Sequence, residues 1–220
     1  MHLNFRSRAD QRGRTPEAPS YFLKPPTSIS GHDDDVVKPQ GTELLVFEGE
    51  IAIVIGSTAR RVTPDEGASH IGWITAVDDF GVYDLRWADR GSNLLAKGHD
   101  TFTPIGPALV PASELDLTDL TLQTRVDGAV VQDDHSQNMI FSFGYLIADL
   151  SRFMTLVPGD IILSGTPAGS APAEPGQTVE VEVSGVGTLR NKIVQDDHEP
   201  APWGAQPRVD DDLRAAAYGT

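Results

Sequence analysis

No cysteine occurs anywhere in the chain. That excludes disulfide cross-links, thiolate catalysis and zinc sites built on cysteine. Positive charge is scarce as well: 17 lysines and arginines stand against 32 aspartates and glutamates, a formal net charge of −15. Binding a phosphate backbone needs a basic stripe, so no nucleic-acid partner is expected. The acidic excess reads as a solubility feature. No apolar run approaches the roughly 18 residues of a membrane span. No signal-peptide pattern opens the chain. The expectation is a cytoplasmic protein with no membrane partner.

The 220 residues suffice for one large domain or two small ones, and a hydrophobic fraction of 39% can build a core. Glycine (21) and proline (16) together make about one residue in six, which suits a turn-rich β protein better than a helical bundle. Residues 1–20 are polar, Arg-rich and without period: an N-terminal arm or the remnant of a lid. Residues 21–195 form the organised part. Residues 196–220, rich in Asp, Pro and Ala, read as an acidic, flexible tail.

Within the organised part, "LLVFEGEIAIVIG" (44–56) and "HIGWITAV" (70–77) read as strands. Asp127-Gly128 between "DLTLQTRV" and "AVVQ" is a strong hairpin signal. From Ser136 the period changes. Met139, Ile140, Phe143, Leu146, Ile147 and Leu150 mark one face of an amphipathic helix, with Ser136 as its N-cap. Strands "DIILSG" and "QTVEVEVSG" follow, and "VGTLRNKIV" closes the last hairpin. The fold class is mainly β with one principal helix, in a curved or rolled sheet.

The 44–56 strand raises a chemical question, because it carries two glutamates amid apolar residues. Side chains alternate across a strand, so Glu48 and Glu50 share a face, roughly 7 Å apart. That face is otherwise Leu44, Val46, Ala52 and Val54. Two like charges drawn out of water are costly unless something compensates them. A hard divalent cation would do so, since it takes carboxylate oxygens. The plainer alternative is an edge strand with a wet patch, or a salt bridge to an arginine. A second acidic cluster follows another strand: Asp78 and Asp79, then Asp84 and Arg86. Lys97 follows in "LLAKGHDTFTPIGP". Beside a carboxylate-bound metal, a lysine can hold an anionic substrate or move a proton.

The order "FLKPPTSI", "FEGEIAIVIG", "DDFGVYDLR", "AKGHDTFTPIGP", "NMIFSFGYLIADLS", "PGDIILSGTPAG" resembles the fumarylacetoacetate hydrolase family over residues 21–194. The "KGHDTFTPIGP" segment places it nearest the bacterial isomerase/decarboxylase branch of homoprotocatechuate breakdown. The resemblance implies a rolled mixed β-sheet, a homodimer, and Mg²⁺ or Mn²⁺ held by Glu48, Glu50 and Asp79. It implies Lys97 as the substrate lysine. It also places the "GTPAG" turn, Gly165 to Gly169, near a bound oxo-acid, with Thr166 as the contact. A 2-oxo acid chelated to such a metal is activated towards an enolate, the intermediate shared by decarboxylation, isomerisation and C–C hydrolysis.

Two departures accompany the resemblance. The family's Asn-Asp-x-x-x-Arg-Asp-x-Gln becomes Asp78-Asp79 with Tyr83 at the arginine and Arg86 at the glutamine. Arg86 would restore the lost charge, and Tyr83 would pack or donate to substrate. Hydrolytic members carry a His-x-x-Glu dyad where Arg8 and Gln11 stand here. Without it, decarboxylation or isomerisation of a 2-oxo dicarboxylic acid needs fewer groups than hydrolysis. Acylpyruvate hydrolysis and oxaloacetate decarboxylation are the alternatives within the family. A non-catalytic 2-oxo-acid-binding member, or a metal-free β interaction module, are the alternatives of another class. Of the six histidines, His99, two residues past Lys97, is the candidate to line the site with Gly165.

Overall fold

A computed structural model describes residues 1–219. Strands and helices are numbered along the chain. One five-stranded sheet has the order β1 (Ile29–Ser30), β7 (Thr103–Pro111), β5 (Ile71–Asp78), β4 (Gly49–Ile55), β10 (Ile161–Leu163). A second has the order β2 (Val36–Lys38), β12 (Gly187–Gln195), β11 (Thr178–Val183), β8 (Thr121–Val126), β9 (Ala129–His135). A short ribbon pairs β3 (Leu45–Val46) with β6 (Gly81–Val82). β1 runs parallel to β7 and β2 parallel to β12, while the other pairs are antiparallel. This is the mainly β, curled mixed-sheet fold that the sequence patterning implies.

The core lies between the sheets. Ile51, Ile53 and Ile55 of β4 meet Ile74 of β5, Leu122 of β8 and Val181 of β11. All three β4 isoleucines are fully buried. Each contributes about 1.5–3 kcal/mol relative to exposure. Every residue of β4 is buried: β5 and β10 pair with its two edges, and its isoleucines pack with Leu122 and Val181 of the second sheet. The 44–56 segment is not one strand: the chain breaks pairing at Phe47 and Glu48 and resumes at Gly49. Glu48 keeps one backbone bond across this break, its carbonyl accepting from Asp79 N.

The principal helix, α5 (Phe143–Ser151), starts later than its periodicity predicts. Ser142, not Ser136, is the N-cap and accepts from Tyr145 N. Ser136–Asn138 form a single 3₁₀ turn, and Met139 is extended, bridged to Phe5 of the arm. Met139 is buried for that reason rather than as part of a helix face.

The arm is docked onto the domain. Phe5 is fully buried, and α1 (Arg6–Gln11) buries Arg8 and Ala9. Asn4 fixes it: its amide donates to Phe141 O (3.0 Å) and Ser164 O (2.8 Å), and its oxygen accepts from Phe141 N (2.8 Å). Three short helices lie between: α2 (Pro64–Gly67), α3 (Arg86–Asp89) and α4 (Leu94–Lys97). In the segment expected as a flexible tail, α6 (Asp211–Tyr218) is capped by Asp210 and packs Ala217 on Leu44, Val46 and Tyr83. Thr220, the end of that tail, lies outside the described residues. Among the described residues no helix is long and apolar enough to cross a membrane.

Candidate metal centre

Adjacent strands bring the acidic residues together. Gly49 pairs with Asp78 across β4 and β5, and Asp79 N donates to Glu48 O at 2.9 Å, extending the pairing past the strand end. Glu48, Glu50 and Asp79 thereby converge: one oxygen from each lies within 4.8 Å of the others. The glycine between the glutamates is a packing requirement, since a Cβ there would collide with the Thr124 hydroxyl. Two of the three, Glu50 and Asp79, have no exposed surface.

Lysines balance this charge. Lys97, ending α4, donates from Nζ to Glu48 Oε2 (2.6 Å), Asp79 Oδ2 (2.7 Å) and Asp79 O (2.8 Å). Lys24 approaches from the other side, with Nζ donating to Asp79 Oδ1 (2.5 Å) and Phe102 O (2.8 Å). Burial opposes ionisation of Asp79, but Lys24 and Lys97 together hold its carboxyl well below the usual range. Burial likewise opposes the charge on Lys97, yet Asp79 and Glu48 hold its ammonium above the ordinary lysine value. Lys24 is lowered, because burial, helped by the neighbouring Lys97, outweighs Asp79 and Glu48.

Glu48 and Glu50 differ. The Glu48 carboxyl is lowered despite burial, chiefly by Lys97 and with help from Arg8. Its Oε1 accepts from the Tyr83 hydroxyl at 2.6 Å, and Arg8 Nη2 stands 3.8 Å away. Among the described residues Glu50 accepts only from Gly165 N, at 2.6 Å on Oε2, and its buried Oε1 has no partner. Burial, with Asp79 and Glu48 nearby, pushes the Glu50 carboxyl up to about 8. Gly165 sits at φ +101°, a conformation that presents its N–H to Glu50 and that a side chain would strain. Asp78 turns away to accept from Glu48 N (2.7 Å), and burial pushes it up to about 7.

The donor set fits a hard divalent cation. It consists of convergent carboxylates, one of them with an orphaned buried oxygen, and hard cations take oxygen ligands. It lacks the sulfur and imidazole that softer metals prefer.

Beside the centre lies a cavity of about 300 Å³. Glu48, Tyr83, Arg86, Lys97 and Thr166 of the predicted set line it. Thr166 is held by donating to Gly49 O (2.9 Å) and accepting from Gln132 Nε2 (2.9 Å). Arg86 stacks on the Tyr83 ring, 4.3 Å from its centroid. Gly165 contacts Glu50 rather than the cavity. His99 is not brought to the site: its Nε2 meets Leu95 O (2.8 Å) and its ring packs on Phe102. Sequence reasoning passed over Lys24, visible only as the lysine of "FLKPP", and Arg12, which lines the cavity from the arm.

With fold and geometry in place, the comparisons agree on a class. Residues 2–194 match the fumarylacetoacetate (FAA) hydrolase C-terminal family model, and the chain belongs to that family. A 4-hydroxyphenylacetate degradation bifunctional isomerase/decarboxylase of Salmonella dublin is 38% identical over 196 residues, 88% of this chain. The chain spans only 46% of that relative's length. A 5-carboxymethyl-2-hydroxymuconate delta-isomerase of Mycobacterium smegmatis superposes with a TM-score of 0.83 at 39% identity, covering 90% of this chain and 78% of the other. A fumarylpyruvate hydrolase of Pseudomonas aeruginosa, solved with Mn²⁺ and pyruvate, gives 0.82 at 27% identity, covering 88% and 87%.

Proposed function

We propose that this protein is a divalent-metal-dependent decarboxylase or isomerase of an enolisable 2-oxo dicarboxylic acid from aromatic-compound catabolism. The observation that carries the reading is the convergence of Glu48, Glu50 and Asp79, two of them paired with Lys97, beside a cavity that Glu48 and Lys97 line. Glu48, Glu50 and Asp79 would hold Mg²⁺ or Mn²⁺. When bound, such an ion supplies Lewis-acid polarisation of a 2-oxo group.

The chain's own residues supply the rest. Lys97 is an ammonium whose proton Glu48 and Asp79 hold tightly; with those carboxylates engaged by a metal instead, its Nζ would give a proton to the carbon left electron-rich when CO₂ departs, or when a double bond shifts. Tyr83 keeps Glu48 in place through its hydroxyl. Thr166, which accepts from Gln132, would turn its hydroxyl hydrogen from Gly49 O to an oxygen of the substrate's 2-oxo-acid end. Arg86 and the neighbouring cations receive carboxylate. The apolar flanks of β4 exclude water and strengthen these interactions. A cytoplasmic homodimer completes the reading.

Acylpyruvate hydrolysis is the second reading, favoured by the likeness to the fumarylpyruvate hydrolase. It requires a base to activate water. Arg8, which lines the cavity beside Glu48, offers only donors, so it cannot serve. The test is to incubate the protein with 2-oxo dicarboxylates and acylpyruvates, with Mn²⁺ or with chelator, following CO₂, ultraviolet absorbance and released pyruvate. Chelator-sensitive CO₂ release or double-bond migration supports the reading. Pyruvate release would favour hydrolysis, and turnover indifferent to chelator would sink both.

A further inference from the structure

The cavity has the opposite sign to the molecule. The chain carries a net charge of −15, yet Arg8, Arg12, Arg14, Arg86 and Lys97 line the cavity with Glu48 as the one carboxylate. Lys97 is committed to Glu48 and Asp79. The arginines are not neutralised in the same way. Arg8 is 3% exposed and stands 3.8 Å from Glu48, with Nη1 donating to the neutral Gln11 at 2.6 Å. Among the described residues, Arg12 and Arg86 form no ion pair at all. Arg12 donates from Nη2 to Ala216 O at 2.6 Å, and Arg86 stacks on Tyr83. Arg12 and Arg86, part-buried and with no carboxylate partner, and Arg8, with only the distant edge of Glu48, are poised for an anion. The Arg12 guanidinium is lowered from its usual value by burial and then by the neighbouring Arg8.

We propose that Arg8, Arg12 and Arg86 form an anion subsite in this cavity, which takes the carboxylate of a 2-oxo dicarboxylate that lies remote from the metal-binding end. The inference rests on the 2-oxo-acid reading of the neighbouring carboxylate centre. Lys97 and Glu48 line the same cavity as the three arginines, so one short ligand can reach both. Arg12 owes its position to α6, whose Ala216 carbonyl it grips. The family match ends at residue 194, so this support lies outside the matched region. Arg12 and Arg86 are therefore specificity residues: they select a second carboxylate and do not touch the reacting bond.

The test uses the full-length, Mn²⁺-loaded protein and two six-carbon probes, 2-oxoadipate and 2-oxohexanoate. They share the 2-oxo-acid end and differ in the remote carboxylate. Affinity is measured by calorimetry, so no turnover is needed. The wild type is expected to bind 2-oxoadipate at least about tenfold more tightly, a preference that weakens with salt. Arg12→Gln and Arg86→Gln are each expected to lose several-fold of that preference, and the double variant to abolish it, with Arg12→Lys restoring part. Both side chains are partly exposed, so these variants should fold. Arg8, being buried, is left unaltered. Equal affinity for the two probes in the wild type, or a preference surviving the double variant, overturns the subsite. A tenfold preference without turnover of any 2-oxo acid leaves the subsite standing and removes the proposed reaction. Metal-dependent turnover without preference does the reverse.

Discussion

Lys97 Nζ bridges two buried carboxylates, 2.6 Å from Glu48 Oε2 and 2.7 Å from Asp79 Oδ2. Removing one partner of a buried charge network leaves the others uncompensated, at a cost of about 3–5 kcal/mol. Lys97→Met should destabilise the metal-free protein by that order and abolish turnover. A divalent cation can take over the compensating charge, so Mn²⁺ should raise the melting temperature of the variant more than that of the wild type. Thermal melts with Mn²⁺ and with chelator check this. An equal Mn²⁺ shift in both proteins would mean the lysine and the ion do not share a role.

Glu50 predicts a pH dependence of the metal-free protein. Its carboxyl ordinarily titrates at 4.5 and is pushed up to about 8 in the fold. A proton held more tightly in the folded state stabilises it below the unfolded value, and that stabilisation is lost as pH rises through the folded value. Asp78, pushed from 3.8 to about 7, acts in the same direction. Asp79 is shifted downwards, so its effect falls below pH 4 and does not overlap. The melting temperature in chelator should fall between about pH 5 and pH 8. Glu50→Gln should flatten the slope and Mn²⁺ should reverse it. A wild-type profile flat across that window would show that Glu50 is ionised throughout.

The strands were legible because alternation reports directly on faces, as in Val179, Val181 and Val183 of β11. So were Glu48 and Glu50, since a charged pair on an apolar face violates the strand's own pattern. The helix start was misread because Met139 has the right spacing but is buried by Phe5, 134 residues away in sequence, in an extended bridge. Lys24 carries no local anomaly: a lysine in a proline-rich loop looks solvated until folding sets it against Asp79. Arg12 is obscure for the same reason, because its carbonyl partner is 204 residues distant. What sequence periodicity cannot report is a contact made by an irregular segment with the far end of the chain.

Asp84 belongs to the acidic cluster in sequence but serves a different purpose. Its two oxygens accept from Glu43 N (2.7 Å) and Leu44 N (2.8 Å), fixing the entry to the segment that carries Glu48. Asp84→Ala would leave two backbone N–H groups without their acceptor, at about 1–3 kcal/mol apiece. The expected result is a clear loss in chemical denaturation with at most a few-fold change in Mn²⁺ affinity. Glu50→Ala should do the opposite. Parallel urea melts and Mn²⁺ titrations separate the two, and a lost Mn²⁺ site in the Asp84 variant would contradict this assignment.

Asn4 ties the arm to the domain through three hydrogen bonds to Phe141 and Ser164. Asn4→Ala should cost about 2 kcal/mol or more, because buried Phe141 and Ser164 groups lose partners. It should also loosen α1 and so the position of Arg8. The measurement is amide hydrogen exchange over residues 1–12. Faster exchange there than in β4 is expected, whereas uniform protection would show that Phe5 burial alone holds the arm.

The C-terminal helix offers the sharpest separation of stability from specificity. α6 covers Leu44, Val46 and Tyr83 with Ala217, while Val209, Leu213 and Ala216 pack at the edge. Removing residues from Asp210 onward exposes that patch, and losing so few apolar side chains should cost on the order of 2–4 kcal/mol. The same deletion takes away the Ala216 carbonyl that holds Arg12 and the Arg214–Glu43 ion pair. If α6 acts only as a cover, KM for mono- and dicarboxylic 2-oxo acids should rise together. If it also positions Arg12, KM for the dicarboxylate should rise several-fold more, with kcat changed less, because Lys97, Asp79 and Glu50 are anchored elsewhere. Restoring α6 with Arg214→Gln, which breaks only the surface ion pair, should return the dicarboxylate preference.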